Sequence, residues 1–339
     1  MEMQFFKKKM RALKRLGIRG VYNRLRYKFE TRSRRVSFGS ENPDKIFYVI
    51  RGVDHHAKHY TGVAMNLLAN YSYVLAHIIY ADKHGWLPIV DQIHDPVNTK
   101  EDFPINGTQN PWEYFWCQPI PYSLEEVYHS KHVVLSKRSW YLPGDLGYSA
   151  EKHKDKMLLR RYHELSERIP LNRVTREHVD AVVKEFFPQG GRVLGISMRR
   201  GGTAREDTYH APNHPIQPTP EEMLAAVQEK MKLWSIDFVF LATEEQHYVE
   251  YFSAALEDKL IYLPRKRYVG WKKYTEEENP LYQPGRRYQT ALEYLTEMEM
   301  LARCQCLIGS ITSGLRYALI RNGARFEHVE ILENGFWNA

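Results

Sequence analysis

Apolar and polar residues follow one another along this chain in blocks that predict strands and helices in alternation. In the C-terminal half, short apolar runs are each followed by a segment with helical periodicity. The predicted strands there are 193–198, 236–242, 260–263 and 306–309. The predicted helices are one that opens with a capping-box arrangement at Thr219-Pro220-Glu221-Glu222, then 244–256, 288–303 and one from about Thr312. This alternation predicts a parallel sheet with helices on both faces, which binds ligands at the carboxyl ends of its strands.

The N-terminal half has the same pattern in a less regular form. Its predicted strands are 46–50, 87–91 and 133–135, and its predicted helices are 63–83 and 150–168. Residues 169–175 are predicted to join two lobes, with Thr175 as the N-cap of a helix over 176–187. A length of 339 residues exceeds one typical domain. The sequence therefore predicts an α/β protein with a basic arm (1–40) and two lobes (41–170 and 171–339).

The net charge of +7 is concentrated in the predicted arm. From Lys7 to Arg35 the only acidic residue is Glu30, and aromatic and aliphatic residues are interleaved with the lysines and arginines. Part of this segment can form an amphipathic basic helix, and such a helix binds anionic membranes, here through residues 1–36. The alternative is a basic arm that is simply solvated. No apolar run reaches the roughly 20 residues that cross a bilayer. We expect a cytoplasmic protein, peripheral on the inner face of a membrane if the arm binds lipid, and no nucleic-acid partner.

Metal and disulfide chemistry are not expected from the cysteines and histidines. Three cysteines are too few for a disulfide framework and favour a reducing compartment. Cys304 and Cys306 are interpreted as core residues at a helix-to-strand junction. The histidines of the segment 55–59 lack an acid or cysteine at metal-binding spacing, so no metal is predicted.

Three predicted strand ends of the C-terminal half carry polar residues. Arg199 and Arg200 follow the first strand, and arginine binds phosphate through paired hydrogen bonds. Glu244 and Glu245 follow the second, where acids accept hydrogen bonds from ribose or a base. For the arginines the alternative is a structural salt bridge, and for the acids it is capping of the next helix from Thr243.

The third strand end has small hydroxyl residues, with Thr312 and Ser313 leading into a helix. The free N–H groups at a helix N-terminus suit phosphate, and plain N-capping is the alternative. The run 110–119 is densely aromatic, which suits either a sugar site or packing between the lobes.

Taken together, these motifs resemble those of the α-1,6-fucosyltransferases and nodulation-factor fucosyltransferases, which are related to the protein O-fucosyltransferases. The similar segments are 195–202, 241–245 and 297–313, in the family's order and with similar intervals. The resemblance implies the GT-B fold, with two facing Rossmann-like lobes. It also implies inverting, metal-independent transfer from GDP-fucose, with no cofactor, and we expect a glycan as the acceptor. A lipid-linked glycan is expected from the charge of the basic arm alone.

The resemblance also assigns roles to individual residues. Arg199 would bind the diphosphate and act in catalysis, and Asp207 or the adjacent Glu206 would be the catalytic base. The residues implied in donor binding are Arg199, Arg200, His214, Glu244, Glu245, Glu297, Thr312 and Ser313. Ser197 replaces the family's histidine, and Gly201-Gly202 replaces Thr-Asp. These differences leave two alternatives open: a different nucleotide-sugar donor, or an inactive glycan- or nucleotide-binding protein.

Overall fold

The computed structural model describes residues 33–53, 66–95, 97–138, 150–199, 214–269, 279 and 281–337. Within these ranges the chain forms two sheets, each built largely from parallel strands, with helices packed around them. The predicted α/β class is therefore confirmed. The boundaries of the two predicted lobes stay a prediction.

The secondary-structure elements follow one another in the alternation that the sequence predicts. The strands are β1 (Arg34–Val36), β2 (Phe47–Ile50), β3 (Leu87–Val90), β4 (Val133–Leu135), β5 (Val193–Met198), β6 (Phe238–Thr243), β7 (Leu260–Ile261), β8 (Cys306–Gly309) and β9 (His328–Ile331). The helices are α1 (Leu67–Lys83), α2 (Leu124–Val127), α3 (Ala150–Lys154), α4 (Lys156–Ser166), α5 (Arg173–Phe186), α6 (Pro220–Leu233), α7 (Gln246–Leu256), α8 (Arg287–Arg303) and α9 (Ser313–Asn322).

The C-terminal sheet has the strand order β7-β6-β5-β8-β9, and all its neighbouring strands are parallel. The chain moves outward from β5 through β6 to β7 and then returns to the other side of β5 as β8. The order therefore reverses between β5 and β8. In doubly wound sheets this switch point opens a crevice at the carboxyl ends of the strands, and ligands bind there.

The N-terminal sheet has the order β1-β4-β2-β3. Strand β2 is parallel to both of its neighbours, and β1 pairs antiparallel with β4 at the edge. The chain passes from β2 to β3 on one side and returns as β4 on the other, so this sheet has a switch point of its own between β2 and β4. Strand β1 was not predicted, and it lies within the segment assigned to the basic arm.

Three predicted helix boundaries are wrong. Helix α7 begins at Gln246 with Glu245 as its N-cap, so Thr243 is the last residue of β6 and does not cap this helix. In the other two cases a capping side chain decides the boundary. Helix α5 begins at Arg173 because the side chain of Asn172 accepts a hydrogen bond from the N–H of Thr175, so Thr175 lies inside the helix and is not its cap. The single helix predicted over 150–168 is divided at Asp155, whose carboxylate caps α4 by accepting from the N–H of Met157 and Leu158.

The hydrophobic core is continuous between the two halves. Tyr71 on α1 meets Tyr317 on α9 edge to face, with ring centroids 4.7 Å apart. Phe115, from the aromatic run, stacks on Tyr288 of α8 at 5.4 Å. Packing between the halves, one of the two interpretations of this run, is therefore confirmed. Cys304 and Cys306 are buried in the core, as predicted.

A carboxylate from the N-terminal half caps a helix of the C-terminal half. Glu101 is buried and accepts hydrogen bonds from the backbone N–H of Gly285, at 2.7 Å, and of Tyr288, at 2.9 Å. A negative charge at this end stabilises the helix because it offsets the positive end of the helix dipole. The start of α8 is thereby fixed to the loop that follows β3.

Among the described helices, none is both long and apolar enough to span a bilayer.

Candidate active site

The ends of β5 and β8 lie side by side at the switch point of the C-terminal sheet. Ser197 is paired with Gly309 in the register of these strands, so Arg199 leaves β5 next to the turn that leads from β8 into α9. Arg199 is half-buried. The structure thus brings together the first and third of the predicted strand-end motifs.

The turn after β8 is held by buried hydroxyl groups. The Oγ of Ser310 donates a hydrogen bond to Oε1 of Gln217, and the Oγ1 of Thr312 caps α9 by accepting from the N–H of Leu315 at 3.0 Å. Ser310, Thr312 and Ser313 are all buried. The predicted capping role of Thr312 is therefore present, and it directs the N-terminus of α9 toward the crevice, where backbone N–H groups suit an anion.

Tyr294 lies at the same N-terminus and was not predicted from the sequence. A Cβ atom on Gly314, in the first turn of α9, would lie 2.7 Å from the Tyr294 hydroxyl and 2.7 Å from Sδ of Met298, so only glycine fits there. Burial raises the pKa of Tyr294, and the nearby charge of Glu244 raises it further, while Arg199 opposes the shift. The tyrosine is therefore close to the side chains of both strand ends.

The two acids after β6 have different environments. Glu245 is fully buried and stands at the N-cap of α7 without a side-chain capping hydrogen bond, and its carboxylate lies 3.5 Å from Nδ1 of His247. Glu244 is half-buried, and its charge raises the pKa of both Tyr282 and Tyr294. Of the two acids, Glu244 is the one close to the tyrosines of the crevice.

Glu297 lies in a buried ion-pair cluster behind the end of β6. Its carboxylate accepts from Nε of Arg265 at 2.8 Å and Nη2 at 2.7 Å, and from Nη2 of Arg267 at 3.2 Å. Both arginines also donate to the carbonyl of Thr243, at 3.0 and 3.1 Å. The exposed fractions of the three side chains are 3% or less, so the cluster fixes the end of β6 to α8 inside the protein.

Burial of Arg265 disfavours its charged form, but the adjacent carboxylate of Glu297 more than compensates and raises the pKa of the guanidinium. Among the described residues, the side-chain hydrogen bonds of Glu297 are made with this arginine pair. A direct contact between Glu297 and a nucleotide, as the resemblance implies, stays a prediction.

His214 is tied to the C-terminal segment. Its carbonyl accepts from the N–H of Trp337 at 3.0 Å, and Ile216 donates to the carbonyl of Gly335 at 2.9 Å. Gln217 follows shortly after and contacts Ser310. The segment that contains His214 is therefore held beside the turn after β8.

Three predicted site residues, Arg200, Glu206 and Asp207, lie outside the described residues, and their roles stay predictions. Conversely, the structure adds Tyr294, Arg265 and Arg267 to this region. The sequence offers only a weak signal for them: the two arginines follow β7 in a basic run, and nothing in that run indicates Glu297 as their partner.

Comparison with known proteins gives similarity to solved structures only. No protein family and no curated protein matches the sequence. One similar structure is the NodZ α-1,6-fucosyltransferase soaked with GDP-fucose, which is 16% identical, has a TM-score of 0.42 and is matched over 81% of this chain and 93% of that one. Another is POFUT1 in complex with GDP, which is 9% identical, has a TM-score of 0.45 and is matched over 85% of this chain and 98% of that one.

The first of these two structures is named as an α-1,6-fucosyltransferase. At these scores and identities, the similarity fixes neither the arrangement of the two halves nor the reaction. The proposed reaction depends instead on the strand order of the C-terminal sheet and on the side chains at its switch point.

Proposed function

We propose that this protein is a glycosyltransferase that takes its sugar from a nucleotide-sugar donor, with GDP-fucose as the expected donor. The observation that carries the proposal is the pairing of Ser197 with Gly309, which places the end of β5 that carries Arg199 beside the turn into the N-terminus of α9. A guanidinium and a helix N-terminus together suit a diphosphate, and they stabilise the negative charge that develops when it leaves.

The neighbouring residues suit the rest of a nucleotide-sugar. Glu244 would accept hydrogen bonds from the ribose or base, and the hydroxyl of Tyr294 would donate to a phosphate or sugar oxygen beside Gly314. The Arg265–Glu297–Arg267 cluster would hold the end of β6, and with it Glu244, in position. In a GT-B arrangement, the acceptor glycan would approach from the N-terminal half.

The proposed transfer inverts the anomeric centre and uses no metal. A carboxylate, Asp207 or Glu206, would take the proton from the acceptor hydroxyl as the bond to the leaving diphosphate breaks. Arg199 would neutralise the charge that accumulates on that diphosphate. The replacement of the family's histidine by Ser197 favours testing other nucleotide-sugars beside GDP-fucose.

GDP is expected to raise the melting temperature of this protein more than UDP, CMP or dTDP, because a ligand that binds the folded state stabilises it by mass action. At a concentration 100 times its Kd, GDP would add about 2.7 kcal/mol. The measurement is a thermal-shift panel with and without EDTA, in which EDTA should make no difference. A larger shift with UDP, or a requirement for Mn²⁺, would contradict the proposed donor.

The basic arm is proposed to bind an anionic membrane surface and bring the enzyme to a lipid-linked acceptor. Residues 34–36 form β1 and pair with β4, so a truncation that tests the arm must end at residue 32 to leave the sheet intact. The truncated protein is expected to lose binding to anionic vesicles and to keep its thermal shift with GDP, since each basic residue near such a surface contributes about 1 kcal/mol. Equal vesicle binding before and after truncation would refute the role of the arm.

A further inference from the structure

The N-terminal sheet carries a second charged cluster at its own switch point. Arg51 leaves the carboxyl end of β2, and the segment Ser136-Lys137-Arg138 leaves the end of β4, directly beside it. Nη2 of Arg51 donates to the carbonyl of Ser136 at 2.5 Å, and the backbone N–H of Arg51 donates to the Ser136 hydroxyl at 2.9 Å. Two guanidinium groups therefore meet at the position where a doubly wound sheet binds ligands.

One buried carboxylate serves this pair. Asp95 accepts hydrogen bonds from Nη2 of Arg138 and from the backbone N–H of Gly52, and only 7% of its side chain is exposed. Gly52 is needed for this approach, because a Cβ atom at that position would lie 2.8 Å from Cβ of Asp95. The negative charge of Asp95 therefore acts on both guanidinium groups.

Arg51 has no anionic partner among the residues that the structure describes. Its Nε is buried without a hydrogen-bond partner, and no carboxylate among the described residues lies within ion-pair distance of its guanidinium. Burial lowers the pKa of Arg51 and the adjacent Arg138 lowers it further, while Asp95 opposes the shift without reversing it. Asp91, at the end of β3, is on the other side of β2, and its carboxylate accepts from the Tyr128 hydroxyl and the N–H of Ile93.

The loops at this end of the N-terminal sheet lead to the candidate active site. The chain continues from Asp95 to Lys100 and Glu101, which contact Arg287 and Tyr288 at the start of α8. Six and nine residues after Tyr288, the same helix carries Tyr294 and Glu297. The strand end that carries Arg51 and the strand end that carries Arg199 are therefore linked through contacts at the start of α8.

We propose that Arg51 and Arg138 form a binding site for an anionic group, a phosphate or a carboxylate, on the acceptor that receives the sugar. The identification of the ligand as an acceptor rests on the proposed transferase function, whereas anion binding by the two arginines does not depend on it. The planar guanidinium of Arg51 would bind the anion through Nε and the free edge of the group, as arginine does with phosphate and carboxylate. The occupant is thus an acidic glycan or a phosphate-bearing glycan intermediate.

The direct test is titration of the full-length protein with inorganic pyrophosphate by calorimetry, with and without excess GDP to fill the donor site. The parent is expected to bind pyrophosphate in the presence of GDP, and Arg51→Gln to weaken that binding at least tenfold. Arg51→Lys keeps the charge but loses the planar geometry, and it should give an intermediate affinity. Arg168→Gln is the matched control, because Arg168 is a surface arginine of the same half that is already paired with Asp82 at 2.7 Å.

Melting curves confirm that each variant is folded, and Arg138→Gln serves as the second variant if Arg51→Gln does not fold. Equal pyrophosphate affinity in the parent and in the folded Arg51 or Arg138 variant would overturn the proposal. So would a parent that binds no pyrophosphate once GDP is present. Failure of the protein to bind GDP would count against the proposed function and leave the comparison of pyrophosphate affinities intact.

A second experiment identifies the anion. Transfer is measured with three acceptors: a sugar phosphate, a uronic acid glycoside and a neutral glycoside. Arg51→Gln is expected to raise KM about tenfold for the acceptor whose anion the site binds, and to leave the KM of the neutral glycoside unchanged. An effect on the sugar phosphate alone identifies phosphate, and an effect on the uronide alone identifies carboxylate. An equal rise with the neutral acceptor would overturn the proposal.

Discussion

Replacement of Glu297 by glutamine is expected to lower the free energy of unfolding by about 3–5 kcal/mol, because it leaves two buried arginines without a compensating charge. Arg265 and Arg267 are almost fully buried, and Glu297 is the one carboxylate that the described structure places within ion-pair distance of them. Chemical denaturation of the parent and the variant measures the difference. Glu177→Gln is the control, since it removes an exposed i,i+4 pair with Arg173 at 3.8 Å that contributes less than about 1 kcal/mol.

The same variant separates the two roles considered for Glu297. A stabilising role predicts a large loss of stability, with GDP affinity nearly unchanged under conditions where the variant is folded. A variant with the stability of the parent and a lost thermal shift with GDP would instead favour direct contact with the nucleotide, as the family resemblance implies.

Arg199→Ala is expected to lower kcat/KM by roughly 10²–10³-fold, the usual effect of removing a group that stabilises developing charge. It should also weaken GDP binding, because in the proposed mechanism the guanidinium would contact the diphosphate before and during transfer. The measurements are steady-state transfer rates and GDP affinity of the full-length variant. Arg176→Ala, which removes an exposed arginine of α5, is the control and should leave both unchanged. A variant that transfers sugar at the parent rate would remove Arg199 from the mechanism.

Asp207→Asn provides the contrasting result in the same assay. A catalytic base acts only in the transition state, so its loss should lower kcat by about 10²–10⁴-fold while GDP affinity stays the same. If Asp207→Asn is fully active and Glu206→Gln is not, the base is the neighbouring acid. If both variants are fully active, this segment contains no base.

The sequence predicts those parts of the fold that depend on neighbouring residues. Strand β5 is a run of six residues, all buried in the sheet, and the capping box of α6 is formed by Thr219 and Glu222 as their spacing predicts. The start of α5 was missed because Asn172 and Thr175 are both good N-caps. Only the structure shows that the Asn172 side chain accepts from the Thr175 N–H, while Thr175 is buried.

The candidate site was predictable where its residues follow strands and unpredictable where they meet across the fold. Arg199, Glu244 and Thr312 come directly after strands of a parallel sheet, so their proximity follows from the topology. The partners Arg265 and Glu297 are 32 positions apart, and their pairing depends on how α8 packs against the end of β6. Periodicity and local motifs contain no information on such a contact.

The shared core limits how this protein could be recombined with others. Tyr71 of α1 and Tyr317 of α9 are each fully buried, and each is covered in part by the other half. An isolated C-terminal half would expose Tyr317 to water and would leave α8 without the carboxylate of Glu101. Chimeras made by exchanging the C-terminal half would therefore need the partner surface of α1 and the loop after β3 to be transferred with it. In the proposed transferase, donor and acceptor specificity would then be inherited together.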